Sequence, residues 1–196
     1  MQIKKIFKYS LLPMTALAPV SLAVSCFKIT DPNHPIVDKE TRKEMDKEGS
    51  KTVKRNYDID FTQHGIAAFS GEVKVRTLLY PAQTRDNNLD KDGVFNIKLH
   101  LSPVKGATGE WVAFATEVKS STDNSLVDPV VIKTATTIAN PQDSYPLRWS
   151  FTGDQSLENG KAYTFVFYKK DGSEVIVFNR DHIKSNKDIF PAVLPQ

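Results

Sequence analysis

"LENGKAYTFVFYKKDGSEVIVF", residues 157–178, holds two runs rich in aromatic and β-branched residues, AYTFVFYK (162–169) and EVIVF (174–178). Such side chains fit a pleated, packed surface, so each run reads as a strand. Between them lies Asp171-Gly172, and Asn159-Gly160 stands just before the first run. An Asp-Gly pair between apolar runs is a strong local signal for a hairpin. A period of two, punctuated by tight turns, is therefore the pattern to seek in the rest of the chain.

The pattern extends backward as far as residue 57. Tyr57, Ile59 and Phe61 alternate with Asp58 and Asp60; Val73, Val75 and Leu79 alternate with Glu72, Lys74 and Arg76. Phe95, Ile97, Leu99 and Leu101 do the same against Asn96, Lys98 and His100. WVAFATEV (111–118), VVIKTATTI (130–138) and LRWSF (147–151) complete the set, with turn signals at Asp92-Gly93, Lys105-Gly106, Thr108-Gly109 and Asn140-Pro141. Short strands at this spacing, with little helical periodicity, predict an all-β domain over residues 57–196, an antiparallel β-sandwich of about eight strands.

The stretch 157–178 also resembles the end of fibronectin type III and related immunoglobulin-like sandwiches: Leu157, five intervening residues, Tyr163, alternating apolar residues, an Asp-Gly turn and a final strand. The resemblance implies that the Tyr163 hydroxyl ties back to the backbone of the preceding loop. It also implies a core tryptophan early in the chain, a place that Trp111 suits better than Trp149. Sandwiches of this kind recur without sequence similarity, so the likeness bears on architecture and not on ancestry.

Ahead of the strand pattern the chain changes character. Lys4, Lys5 and Lys8 precede an apolar stretch that runs to Val24 and is broken by Pro13 and Pro19, and no acid occurs before Asp31. A membrane span needs about 20 apolar residues, so this run reads as a secretory signal over residues 1–25. It ends in Leu22-Ala23-Val24-Ser25-Cys26, and Cys26 is the sole cysteine of the 196 residues. The ending resembles the lipobox of bacterial lipoproteins, and the Lys-rich start with Ser before Cys looks most like the mycoplasma-type surface lipoproteins. The resemblance implies cleavage before Cys26, diacylglyceryl (palmitate-type) lipid on its sulfur and localisation at the extracytoplasmic face of the cell membrane. Each acyl CH₂ withdrawn from water contributes about 0.8 kcal/mol, and two chains anchor stably where one is marginal. The rival reading, a buried small hydrophobe, ignores the three ordered regions in front of the residue.

Residues 26–56 carry two early prolines, few large apolar residues and densely mixed charge. They read as a polar tether, partly helical or disordered, that holds the domain off the lipid surface. Loss of the signal also resets the charge: the chain has 26 Lys plus Arg against 23 Asp plus Glu, and three of the lysines lie within residues 1–25. The remainder is neutral, with 23 of each sign, and offers no support for nucleic-acid binding. A single cysteine excludes an internal disulfide, so a domain of about 140 residues must rest on its core.

Motifs of chemistry are sparse. In NNLDKDG (87–93), Asn88, Asp90, Asp92 and Gly93 match the opening of a calcium loop, but position 99, where a bidentate glutamate belongs, is Leu99. A hairpin turn explains the same residues. His34, His64, His100 and His182 lack zinc-ligand spacing, and Asp58 with Asp60 reads as a solvated strand edge and not as a catalytic pair. No nucleophile elbow, phosphate loop or dinucleotide fingerprint occurs, so no cofactor, metal or catalytic residue is assigned.

The sequence thus points to a surface-anchored binding module, with no enzymatic activity, that meets the membrane through Cys26 and an extracellular protein or glycan through its loops. The loops at 83–91, 120–127 and 140–145 are the expected contacts, being polar and between strands. A solute- or carbohydrate-capturing lipoprotein is the alternative, with Trp111, Trp149 and Tyr145 as the aromatic candidates set against their use in the core. A surface hydrolase stands third.

Overall fold

The computed structural model describes residues 59–69, 73–78, 89–100, 104–178, 182–183 and 185–196. Residues 1–25 and 26–56, expected to be signal and tether, lie outside these residues together with Cys26, as do Tyr57 and Asp58. The fold is built of strands, and among the described residues no helix reaches seven residues. In chain order the strands are β1 (Lys74–Leu78), β2 (Phe95–Leu99), β3 (Glu110–Ser120), β4 (Asp123–Leu126), β5 (Ile132–Ile138), β6 (Leu147–Phe151), β7 (Ala162–Lys169), β8 (Glu174–Phe178) and β9 (Ile189–Pro191). Short 3-10 turns occupy Phe61–His64 and Gly153–Gln155.

Seven strands form one sheet along the path β1-β8-β7-β3-β4, with β5 also paired to β3 and β9 to β7; β2 and β6 form a second, two-stranded sheet. The centre of the large sheet is the antiparallel pair β3 and β7, in register from Trp111 opposite Lys169 to Val118 opposite Ala162. Both strands are buried on both faces, which is why their sequences run nearly continuously apolar where an edge strand would alternate. β2 and β6 do alternate, with Phe95, Ile97 and Leu99 inward and opposite Phe151, Trp149 and Leu147.

One core receives the inward side chains of both sheets: Phe95, Ile97, Trp149 and Phe151 meet Trp111, Phe165, Phe167 and Ile176. The ring of Trp149 stacks on Phe167 at 4.8 Å. The other face of the large sheet carries Val112, Phe114, Val166, Tyr168 and Val175, and it is covered by Phe61, Ile66 and Phe69. Phe61 stacks on Tyr168 at 4.6 Å.

Three expectations need correction. Of the strand predicted over Tyr57 to Phe61, the described residues form none: residues 59 and 60 are irregular and Phe61 opens a 3-10 turn. Asp60 is the reason, because its carboxylate accepts from the Thr62 backbone N–H at 3.0 Å and from the Thr62 hydroxyl at 2.6 Å, and local bonds of this kind compete with a ladder. Asp60 is thus a cap and not a strand-edge acid. Second, β1 runs parallel to β8, Lys74 opposite Glu174 through Leu78 opposite Phe178, so the large sheet is mixed and not antiparallel throughout. Third, β4 lies inside the predicted loop 120–127, and β9 had no strand signal at all. DNSL holds one apolar residue and is made a strand by its partner; IFP has two strand-favouring residues but is cut short by proline, too brief to show an alternation.

Candidate interaction surface

Because Phe95, Ile97 and Leu99 of β2 and Leu147, Trp149 and Phe151 of β6 point into the core, the intervening residues are forced outward. The outer face of the small sheet therefore displays Asn96, Lys98, Arg148 and Ser150, with His100 just past β2. Register sets Asn96 opposite Ser150 and Lys98 opposite Arg148. The first pair bonds, Ser150 Oγ donating to Asn96 Oδ1 at 2.5 Å. The second pair places two cations directly across from each other.

The loop between β5 and β6 completes the surface. Its ends are closed by Asn140 N–H on the Pro146 carbonyl at 2.8 Å, and the Asn140 carboxamide oxygen accepts from Gln142 N–H at 3.2 Å. Asp143 accepts from the Tyr145 N–H at 2.9 Å and from Arg148 Nη2 at 2.7 and 2.9 Å. Those bonds, the backbone one foremost, hold the Asp143 carboxyl below its ordinary range. Tyr145 is thereby set against the strand pair: Lys98 Nζ lies 4.3 Å from its ring centroid, the Arg148 guanidinium carbon 5.2 Å, and His100 meets the ring edge-on at 5.7 Å. Cations over a tyrosine face are attracted by its quadrupole, by about 0.5–1 kcal/mol at an exposed site.

The other sequence candidates are scattered. In the 87–93 stretch the Asp90 carboxylate is occupied by its own turn: Oδ1 accepts from Asp92 N–H at 3.0 Å and Val94 N–H at 2.9 Å, and Oδ2 from the Asn96 amide at 3.1 Å. The Val94 bond is the largest cause of its lowered pKa. Asn88 lies outside the described residues, as do His34 and most of the loop 83–91. His64 packs edge-on against Phe114 at 5.0 Å, far along the chain and on the opposite face of the large sheet from His100. Among the described residues no group of three or more His, Cys, Asp or Glu is placed to hold a metal. Both tryptophans are core residues: Trp111 Nε1 donates to the Thr108 carbonyl at 3.0 Å and Trp149 Nε1 to the Trp111 carbonyl at 3.1 Å. Neither indole offers a face to a ligand; of the three aromatic candidates only Tyr145 lies at the surface.

Sequence reasoning singled out Tyr145 and its loop but not Lys98 or Arg148. Each is an ordinary outward residue of an alternating strand, and only the β2–β6 register brings them together. No family model, curated protein or solved structure matches the chain.

Proposed function

We propose that the chain is a lipid-anchored extracytoplasmic surface protein whose strand domain is a binding or interaction module without catalytic activity. The observation that carries the reading is the order of segments ahead of the domain: basic start, apolar run, Leu22-Ala23-Val24-Ser25-Cys26, then a polar tether. That order resembles the mycoplasma-type surface lipoproteins, in which the cysteine sulfur bears the lipid. A thioether can hold a diacylglyceryl group, and Cys26 is the one thiol available.

The domain fits recognition better than turnover. Several of its titratable groups sit in structural pairs: Lys161 with Glu117 at 3.1 Å and Glu158 at 2.9 Å, Lys170 with Glu110 at 2.8 Å, Arg76 with Glu174 at 2.7 Å. The polar loop 140–145, held rigidly against a sheet face, is the best-formed contact region. We also read the two sheets as an immunoglobulin-like sandwich, on the strength of their shared core and the tie made by Tyr163; the parallel β1–β8 pair is a departure from that plan.

Replacing the thiol tests the anchor. Cys26→Ala is expected to leave the precursor uncleaved, seen as altered mobility, or to release the protein from the detergent phase on phase separation. Unchanged partitioning and mobility would remove the lipoprotein reading. Screening the full chain against hydrolase substrates tests the rest: reproducible turnover, lost on a single acid or histidine substitution in a folded variant, would put the hydrolase first.

A further inference from the structure

We propose that the outer face of the β2–β6 sheet binds an acidic glycan, a polysaccharide bearing carboxylate or sulfate groups, through Lys98 and Arg148. The proposal rests on the recognition reading above and gives its partner a chemistry. Lys98 and Arg148 are direct cross-strand partners, and like charges so placed oppose folding. The interior fixes them there, because Ile97, Leu99, Leu147 and Trp149 on either side are committed to the core. Only part of the repulsion is relieved within the molecule. Asp143 engages Arg148, both bonds coming from the one nitrogen Nη2, and the single Tyr145 ring faces both cations. Among the described residues Lys98 makes no ion pair, and the Arg148 side chain is 53% exposed despite its partner. An anion seated between the two would supply what the fold withholds.

The neighbours favour a sugar over a peptide. The face continues through Asn96 and Ser150, an amide and a hydroxyl bonded to each other, and among its described residues the Tyr145 ring is already engaged by Lys98 and Arg148, which suits a polyhydroxylated acidic ligand better than an apolar peptide anchor. Preorganisation is built in: the loop is closed on itself and stapled to β6, so binding orders little.

The experiment is titration of the full-length chain, in detergent micelles, with a heparin-derived octasaccharide, using maltooctaose and polyglutamate as comparisons. The octasaccharide is expected to bind, weaker as salt rises, and maltooctaose not to bind. Lys98→Gln, which leaves the Asp143–Arg148 pair intact, and Lys98→Gln/Arg148→Gln are expected to weaken binding by about tenfold or more, as for lost charge-assisted contacts. Lys105→Gln/Lys119→Gln, an equal charge change elsewhere on the surface, is expected to stay within about twofold of the parent. The idea is overturned if no probe binds, if the control double variant loses as much as Lys98→Gln/Arg148→Gln, or if Lys98→Gln with an unchanged melting temperature binds like the parent. Equal or tighter binding of polyglutamate would assign the face to an acidic polypeptide instead. None of these results touches the detergent partitioning or the turnover screen, so the recognition reading fails or survives separately.

Discussion

The hydroxyl oxygen of Tyr163 accepts a hydrogen bond from the backbone N–H of Glu158, five residues earlier, at 3.1 Å. The ring itself is fully buried, opposite Phe190 of β9. The same short loop is tied on both sides: Gly160 N–H reaches the Ala192 carbonyl, Ala192 N–H the Lys161 carbonyl, both at 2.7 Å, and Lys161 bridges Glu158 to Glu117 on β3. Tyr163 closes the loop, and Gly160 and Lys161 fasten it to β9 and β3 on either side.

Tyr163→Phe removes the acceptor and leaves the Glu158 N–H to find water at a half-buried site. The expected loss is on the order of 1 kcal/mol in denaturant unfolding, with the fold retained. A midpoint equal to the parent's would show that the tie is incidental.

Two glycines with positive φ separate backbone strain from steric approach. At Gly160, φ is +84° and an added Cβ meets nothing within 4 Å; at Gly172, φ is +73° and the Cβ would lie 2.5 Å from the Ala67 carbonyl oxygen and 2.9 Å from that of Ala68. Gly160→Ala should cost about 1–2 kcal/mol, the left-handed penalty alone. Gly172→Ala should cost more, because the segment of Ala67 and Ala68, which carries Ile66 and Phe69 onto the sheet face, must move away from the β7–β8 turn. Equal melting temperatures for the two variants would contradict the close approach.

Arg76 Nε donates to Glu174 Oε2 at 2.7 Å, with side chains only 10% and 13% exposed, and Arg76 Nη1 also reaches the Lys105 carbonyl at 3.0 Å. This pair crosses the parallel β1–β8 junction. Glu174→Ala leaves a nearly buried guanidinium without its carboxylate, at a cost of about 2–4 kcal/mol, whereas Arg76→Met/Glu174→Leu should recover the Arg76 share of it, Lys169 losing Glu174 in both but keeping Asp171. Unfolding of the three proteins in urea decides, and a double variant no better than the single one would refute the account.

The strands that sequence made legible are those whose pattern is set by what covers them. β2 and β6 alternate because one face is wet, and β3 and β7 are nearly continuously apolar because neither face is. β4 and β9 were illegible because DNSL becomes a strand through its partner and IFP is too brief to show an alternation, and the 57–61 alternation misled because Asp60 spends its carboxylate on Thr62. Asp90 was read as a turn residue or a ligand, and the turn uses all of its hydrogen-bonding oxygens. The Lys98–Arg148 pair is 50 positions apart in the chain and is visible only through register.

High pH should destabilise the fold through its buried phenols. Burial, the largest cause at both residues, raises the pKa of Tyr163 and of Tyr168, the latter far above the ordinary range. In the unfolded chain the same groups ionise near pH 10. Between the unfolded and folded values the native state holds more protons, so stability is full below the unfolded pKa and falls as pH rises toward the folded ones. Lys161, whose pKa is raised chiefly by its bonds to Glu158 and Glu117, adds loss of the same sign. The tyrosine share is isolated by Tyr163→Phe/Tyr168→Phe, which has no phenol to ionise at either site. Urea unfolding from about pH 8 to about pH 11 should show stability dropping more steeply for the parent than for the double variant. Parallel curves would mean that these two hydroxyls are not protected from ionisation by the fold, and the buried placement of Tyr168 against Phe61 and Phe114 would be wrong.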